Sequence, residues 1–318
     1  MLCDLVDKGA EMNNYERIWK VKLDMTHYNG KDVYSDGDVE NDILAYCKHE
    51  RIQEALLSDT RWPVFYHLSS IRENLLNWFP FQSNATVLEI GMGCGAITGV
   101  LCRSVSQVEG VEISPRRAEI AAWRHKNYEN LTIHVGNLND MNITRKFDYV
   151  TLIGVLEYAG SFTHTSDPYK DFLQACRQYL KPGGQLIIAI ENKFGLKYWS
   201  GAREDHTGKI FDSITGYKGN DKVRTFSKPE LEKLLYDSGF ENLTWYYPFP
   251  DYKLPHRLYS DEYLPTAGVF EDKHFIYYDM ERYVLFNEAD AMNEIVNSGL
   301  FDMFSNSFLV YCSNGEKE

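Results

Sequence analysis

The stretch Ala85-Thr-Val-Leu-Glu89-Ile-Gly91-Met-Gly93-Cys-Gly95-Ala-Ile-Thr98 decides the fold. An apolar run ending in an acid, followed by three alternating glycines, suits a strand that turns tightly into a helix. Glycines tolerate backbone angles that other residues avoid, and without a Cβ they let the main chain approach a ligand closely. A cofactor is therefore expected on this loop, beside Glu89, Gly91, Gly93 and Gly95.

The spacing alone does not name the cofactor, because Gly91 to Ala96 also satisfies the looser dinucleotide pattern G-x-G-x-x-[GA]. A second apolar segment, Gln107-Val-Glu-Gly-Val-Glu112-Ile113, ends about twenty residues beyond the glycines, where a carboxylate binds ribose hydroxyls. NAD and S-adenosylmethionine both carry that ribose. Leu131-Thr-Ile-His-Val-Gly-Asn137-Leu138 ends a third strand in small polar residues suited to an adenine edge. Phe147-Asp-Tyr-Val-Thr-Leu-Ile-Gly154-Val-Leu-Glu157-Tyr158 is a fourth strand running into a loop, and Leu180-Lys-Pro182-Gly183-Gly184 opens a fifth.

This ordered set, from Val87 to Asn192, resembles the class I S-adenosylmethionine-dependent methyltransferases. The resemblance implies an α/β, Rossmann-like sheet, mostly parallel with an antiparallel last strand, and S-adenosyl-L-methionine as cofactor. It places Glu112, Ile113, Asn137, Leu138, Gly154 and Glu157 against that cofactor. Tyr66 and Arg72 resemble the segment that closes over its methionine end, where an arginine pairs with a carboxylate. The flanking text, including Arg61-Trp-Pro-Val-Phe-Tyr-His-Leu-Ser and Gly201-Ala-Arg-Glu-Asp-His-Thr-Gly208, resembles a bacterial subgroup that accompanies glycosyltransferases and surface-glycan genes. A glycosyltransferase partner follows from that second resemblance.

Composition narrows the function further. The 318 residues suffice for one large α/β domain with elaborations or for two modest domains, and no apolar run approaches the roughly 20 residues that cross a bilayer. The N-terminus is too acidic for a secretory signal, so a cytoplasmic protein with no membrane insertion is expected. Six cysteines without C-x-x-C spacing suggest neither a zinc site nor a redox pair, and no metal is expected. A net charge of −13 argues against nucleic acid, as does the absence of a [DN]-P-P-[YFW] segment after the fourth strand. Asp32 to Asp38 resembles a calcium loop only superficially: Tyr34 and Ile43 stand where acidic or amide ligands belong.

Residues 1–84 are expected to form an N-terminal helical segment packed on the core, with helices from Val39 and over Phe65 to Trp78. Residues 85–318 form the methyltransferase domain, with helices on both faces of the sheet and a substrate cap from two insertions, at about 193–225 and 249–304. Both insertions leave the carboxyl edge of a strand, where open α/β sheets bind ligands.

Methyl transfer is an in-line displacement at a carbon activated by positive sulfur, so alignment and water exclusion are the main requirements. A hydroxyl acceptor must also lose a proton. Glu204-Asp205-His206-Thr-Gly208 supplies an acid and an imidazole on the first insertion. His206 is the expected base, a neutral imidazole of ordinary pKa, with Asp205 orienting it or binding substrate and Glu204 at the substrate. Asp251, Tyr252 and Lys253 open a tyrosine-rich second insertion, where aromatic faces beside carboxylates suit a polyhydroxylated ring; Tyr158 completes the substrate set. The expected reaction is methyl transfer to a small-molecule or carrier-linked acceptor, led by a hydroxyl of a saccharide or glycan precursor. The alternatives are N- or O-methylation of a small natural product and a non-catalytic cofactor-binding partner of a glycan assembly enzyme.

Overall fold

In the computed structural model, which describes residues 15–32, 34–219, 222–271 and 282–313, ten strands share one sheet. They are β1 (Tyr15–Ile18), β2 (Val21–Asp24), β3 (Thr86–Ile90), β4 (Gln107–Glu112), β5 (Leu131–Val135), β6 (Phe147–Ile153), β7 (Leu180–Glu191), β8 (Asn242–Phe249), β9 (Arg257–Ser260) and β10 (Ser307–Ser313). All five residues of β3 are buried, as expected of a central parallel strand, including Thr86 and Glu89 beside its apolar residues. The order is β1-β2-β5-β4-β3-β6-β7-β10-β8-β9. From β2 to β7 the neighbours are parallel; β10 enters antiparallel between β7 and β8. Sequence order reverses on either side of β3, which opens a crevice outside the carboxyl ends of β3, β4 and β6.

Successive strand residues serve opposite faces. Leu88, Val150, Leu186 and Ile188 join one apolar cluster, whereas Val87, Tyr149 and Ile187 join the other. The helix after β4, Pro115–Arg124, starts where Ser114 accepts from the Arg117 amide at 3.3 Å and proline occupies the first turn. Ser227 and Glu230 form a capping box for the helix Lys228–Asp237.

The N-terminal segment departs from expectation. It is not wholly helical: β1 and β2 form a hairpin that extends the sheet, with β2 parallel to β5. Four-residue strands leave too short an alternation to recognise. The expected helix Phe65 to Trp78 is also divided. The α-helix Trp62–Leu68 stops at Ser69, which is extended and accepts from the Ile71 amide, and a 3₁₀ helix, Ser70–Leu75, follows. A local serine cap competes with helix continuation. At the far edge, β9 pairs antiparallel with β8 inside a segment expected to be cap alone.

The hairpin is fastened by His134 on β5, which lies 2.9 Å from Asp24 and 3.3 Å from Glu109. Burial opposes the charged ring, yet Glu109 and Asp24 raise its pKa above the ordinary value. A raised histidine pKa contributes stability that is complete below its unfolded pKa of about 6.5 and is lost as pH rises through the folded value. Amide exchange in β2, corrected for intrinsic rate, is therefore expected to be slower at pH 6 than at pH 9, by a local stability on the order of 1 kcal/mol. Equal corrected rates would show that the pair contributes nothing to docking.

Candidate active site

A cavity of about 430 Å³ fills the crevice beyond the carboxyl ends of the central strands. Its floor is the glycine loop. Gly91, Gly93 and Gly95 have φ of 68°, 55° and 74°, which are left-handed angles. A Cβ on Gly91 would lie 2.5 Å from Val155, whereas one on Gly93 would meet nothing within 4 Å. Gly91 is thus required by packing, and Gly93 leaves space beside the cavity.

The acids at the ends of β3 and β4 are held differently. Glu112 accepts from the amides of Gly93 at 2.7 Å and Ser114 at 2.9 Å, so its carboxylate ties the glycine loop to the next helix while lining the cavity. Burial raises its pKa, and those amides oppose the rise. Glu89 accepts from the Thr98 hydroxyl at 2.7 Å, and burial pushes its carboxyl up to about 8. Ile113, Asn137 and Leu138 line the same end, with Asn137 also capping a short 3₁₀ turn. Gly154 is needed for close approach: a Cβ there would stand 2.8 Å from the Tyr252 hydroxyl.

On the opposite wall, the Arg72 guanidinium lies 4.2 Å over the Tyr66 ring and donates to the Lys253 carbonyl at 3.3 Å. Its Nε is buried without a hydrogen-bond partner, leaving a donor beside the cavity. Asp36 lies 2.7 Å from His67 and 2.8 Å from Arg117, pinning the segment before the first helix across the cavity. Burial works against the Asp36 charge, but His67 and Arg117 hold its pKa below the ordinary value. The Tyr34 and Tyr158 hydroxyls meet at 2.9 Å.

The far end collects ionisable groups from separate segments. His206 Nδ1 faces Glu204 at 2.9 Å; Nε2 lies 3.5 Å from Glu157 and 3.9 Å from Glu191. Tyr158 packs edge-on against the imidazole, with ring centroids 5.2 Å apart. Burial would lower the pKa of His206, but Glu157, Glu204 and Glu191 raise it well above the imidazole range. Burial raises the Glu157 carboxyl. The expected neutral imidazole of ordinary pKa is thereby corrected: three carboxylates favour the charged ring.

Asp205 does not orient that imidazole. It pairs with Lys197 at 2.9 Å, with Lys253, and with the Tyr198 hydroxyl. Burial opposes its charge, yet Lys197 and Lys253 hold it well below the carboxylate range. Asp205, His206, Tyr158, Tyr252 and Lys253 reach the cavity. Glu204 and Asp251 do not line it: Glu204 supports His206 from behind, and Asp251 pairs with Lys197 at 3.1 Å. Other described tyrosines between 246 and 263 are placed elsewhere. Tyr247 and Tyr259 enter the core, Tyr246 packs on Trp78, and Tyr263 is exposed. Glu191 and Lys197, absent from the sequence-based set, prove central; the acid closing the apolar run of β7 was the available signal.

A crevice on a glycine loop, lined at its far end by Asp205, His206, Tyr252 and Lys253, lies in the sheet of an S-adenosylmethionine-dependent methyltransferase. The family described as "Methyltransferase domain" matches residues 64–244, and the chain belongs to it. A ubiquinone biosynthesis O-methyltransferase of Cereibacter sphaeroides is 32% identical over 117 residues, covering 36% of this chain and 44% of that protein. The mitochondrial ubiquinone biosynthesis O-methyltransferase of Rattus norvegicus is 30% identical over 203 residues, covering 57% and 54%. The chain thus spans about half of these relatives' length. A solved phosphoethanolamine N-methyltransferase of Haemonchus contortus, bound to S-adenosylhomocysteine, has a TM-score of 0.47 and 17% identity, covering 87% of this chain and 58% of that one. The matched domain is that of methyltransferases that use S-adenosyl-L-methionine. Among the described residues, no helix is long and apolar enough to cross a membrane.

Proposed function

We propose that the enzyme methylates a hydroxyl of a small or carrier-linked acceptor, with a sugar or glycan precursor as the leading substrate. One observation carries the reading: a single cavity runs from the glycine loop to the Glu157, Glu191 and His206 cluster, with Tyr34, Tyr158 and Tyr252 on its walls. The glycine loop, Glu112, Asn137 and Gly154 hold the nucleoside, and Arg72 pairs with the methionine carboxylate. When bound, S-adenosylmethionine would supply a methyl group activated by its positive sulfur, which would keep the bonding pair, and the hydroxyl proton of the acceptor would pass to the buried carboxylate cluster. His206 touches that hydroxyl, and Asp205 is a positioning residue acting through Lys253. Aromatic faces beside carboxylates support a polyhydroxylated ring. The subgroup resemblance supports a glycosyltransferase partner, and the five free cysteines described suit a cytoplasmic setting.

A second reading, an aromatic hydroxyl, is favoured by the O-methyltransferase relatives. Methyl-labelled cofactor offered with nucleotide sugars, oligosaccharides, vicinal dihydroxyphenols and amines is expected to label a hydroxyl compound. A labelled sugar supports the leading reading and a labelled phenol the second. Label found only on amines would sink both.

A further inference from the structure

The cluster at the end of the cavity has a geometry that proton transfer alone does not require. Glu157, Glu191 and His206 each bring one ligand-type atom into a group whose members all lie within 4.8 Å of one another. They come from the loop after β6, the end of β7 and the first insertion. Oε2 of Glu157 and Oε2 of Glu191 are buried and make no hydrogen bond. Glu191 is fully buried and Glu157 is 1% exposed, and both face the cavity.

The outer contacts hold these atoms in place. His206 turns Nδ1 to Glu204, leaving Nε2 toward the two carboxylates. Glu204 is itself fixed by the Thr207 amide at 2.6 Å and the Tyr217 hydroxyl at 3.1 Å. A carboxylate behind an imidazole is the usual support of a metal-binding histidine. Lys253 stands 2.7 Å from Oε1 of Glu191, on the other oxygen from the one nearest His206.

We propose that Glu157, Glu191 and Nε2 of His206 bind one divalent cation of the zinc or manganese type, which displaces the Nε2 proton of the charged ring and whose open positions take the acceptor oxygen. Two carboxylates and an imidazole form a mixed oxygen and nitrogen donor set suited to such ions. Ligand bonds of about 2.1 Å place ligand atoms roughly 3.0 Å apart at an octahedral edge and roughly 3.4 Å apart at a tetrahedral one. The 3.5 and 3.9 Å separations from Nε2, and a carboxylate–carboxylate separation within 4.8 Å, close on a shared ion by inward shifts of up to roughly 1–2 Å. A cation here also offsets the concentration of buried negative charge. Coordination of the acceptor oxygen would ease loss of its proton to the non-ligating carboxylate oxygen of Glu157, and an acceptor with two adjacent oxygens could chelate. This coordination step rests on the hydroxyl-transfer reading; the cation site does not.

The test uses the full chain, treated with chelator and desalted. Titration with Mn²⁺, followed by electron paramagnetic resonance, is expected to show one bound equivalent in the absence of any acceptor. Glu191→Gln and His206→Gln should each weaken that site at least about tenfold, whereas Asp261→Asn should not. S-adenosylhomocysteine affinity reports that the variants remain folded. No saturable Mn²⁺ or Zn²⁺ binding up to about 1 mM would overturn the site. Binding that both cluster variants leave unchanged would overturn it too. Tight binding with methyl transfer insensitive to chelator would refute the coordination step while leaving the cation site. Binding with amines as the only methyl acceptors would refute the hydroxyl reading instead.

Discussion

Gly93→Leu is expected to abolish measurable S-adenosylmethionine binding while the protein stays folded. The two halves of that outcome come from different observations. An ideal Cβ at Gly93 meets no heavy atom within 4 Å, so the folded protein has room for a side chain. The φ of 55° imposes left-handed backbone strain, roughly 1–2 kcal/mol for a non-glycine residue. That cost is small against the stability of a chain with two extensive apolar clusters. The leucine side chain would instead occupy cavity space beside a loop whose amide is tied to Glu112 at 2.7 Å. Calorimetry should show an affinity loss above a hundredfold, about 2.8 kcal/mol or more. A cooperative thermal transition should remain.

Gly91→Leu makes the contrasting control, because a Cβ there would be 2.5 Å from Val155 and folding itself should suffer. If Gly93→Leu bound cofactor as wild type does, the cofactor would not lie against this loop. The assignment of Gly93 would then be lost.

Sequence periodicity revealed the sheet because its central strands have long, uninterrupted signals. Val87 to Ile90 is apolar except for Glu89, and the glycine pattern fixes where that strand ends. The helix Pro115–Arg124 was equally legible, because serine, proline and the following apolar spacing agree. The hairpin Tyr15–Asp24 lacked that redundancy, having four residues in each strand and a turn with no glycine. Trp19 takes φ of 55° in that turn, a conformation that tryptophan does not announce.

The cofactor end was legible for a related reason: backbone geometry selects glycine, and a strand terminus selects the nearby acid. Side chains at the acceptor end answer to distant partners. The sequence places Asp205 beside His206, but buried Lys197 and Lys253 draw the aspartate away, and Glu204 takes the imidazole. Aromatic composition likewise cannot distinguish Tyr252, which reaches the cavity, from Tyr247, which fills the core. Glu191 was overlooked because an acid ending a strand is indistinguishable from a solvated strand terminus until β7 is placed between β6 and β10.

His206→Ala is expected to lower single-turnover methyl transfer by roughly 10²–10⁴-fold while leaving cofactor affinity nearly unchanged, the range for losing a group that manages a transferred proton. The imidazole reaches Glu157 and Glu191, two carboxylates assigned to the reacting end. Alanine removes the group between them and leaves their buried charges to repel. It also releases Tyr158 from its edge-on ring contact. The nucleoside end should feel little of this. Glu112 remains tied to Gly93 and Ser114, while Asn137 stays at the turn after β5. Glu204 retains the Thr207 amide and the Tyr217 hydroxyl, so the insertion has reason to keep its path. The measurement requires the hydroxyl acceptor identified by labelling, with enzyme in excess so that product release does not set the rate. Near-wild-type transfer would remove His206 from the reaction and move the acceptor to another wall of the cavity. Equal losses in cofactor affinity and transfer would instead show that the substitution disturbs the whole crevice, and the local assignment would fall.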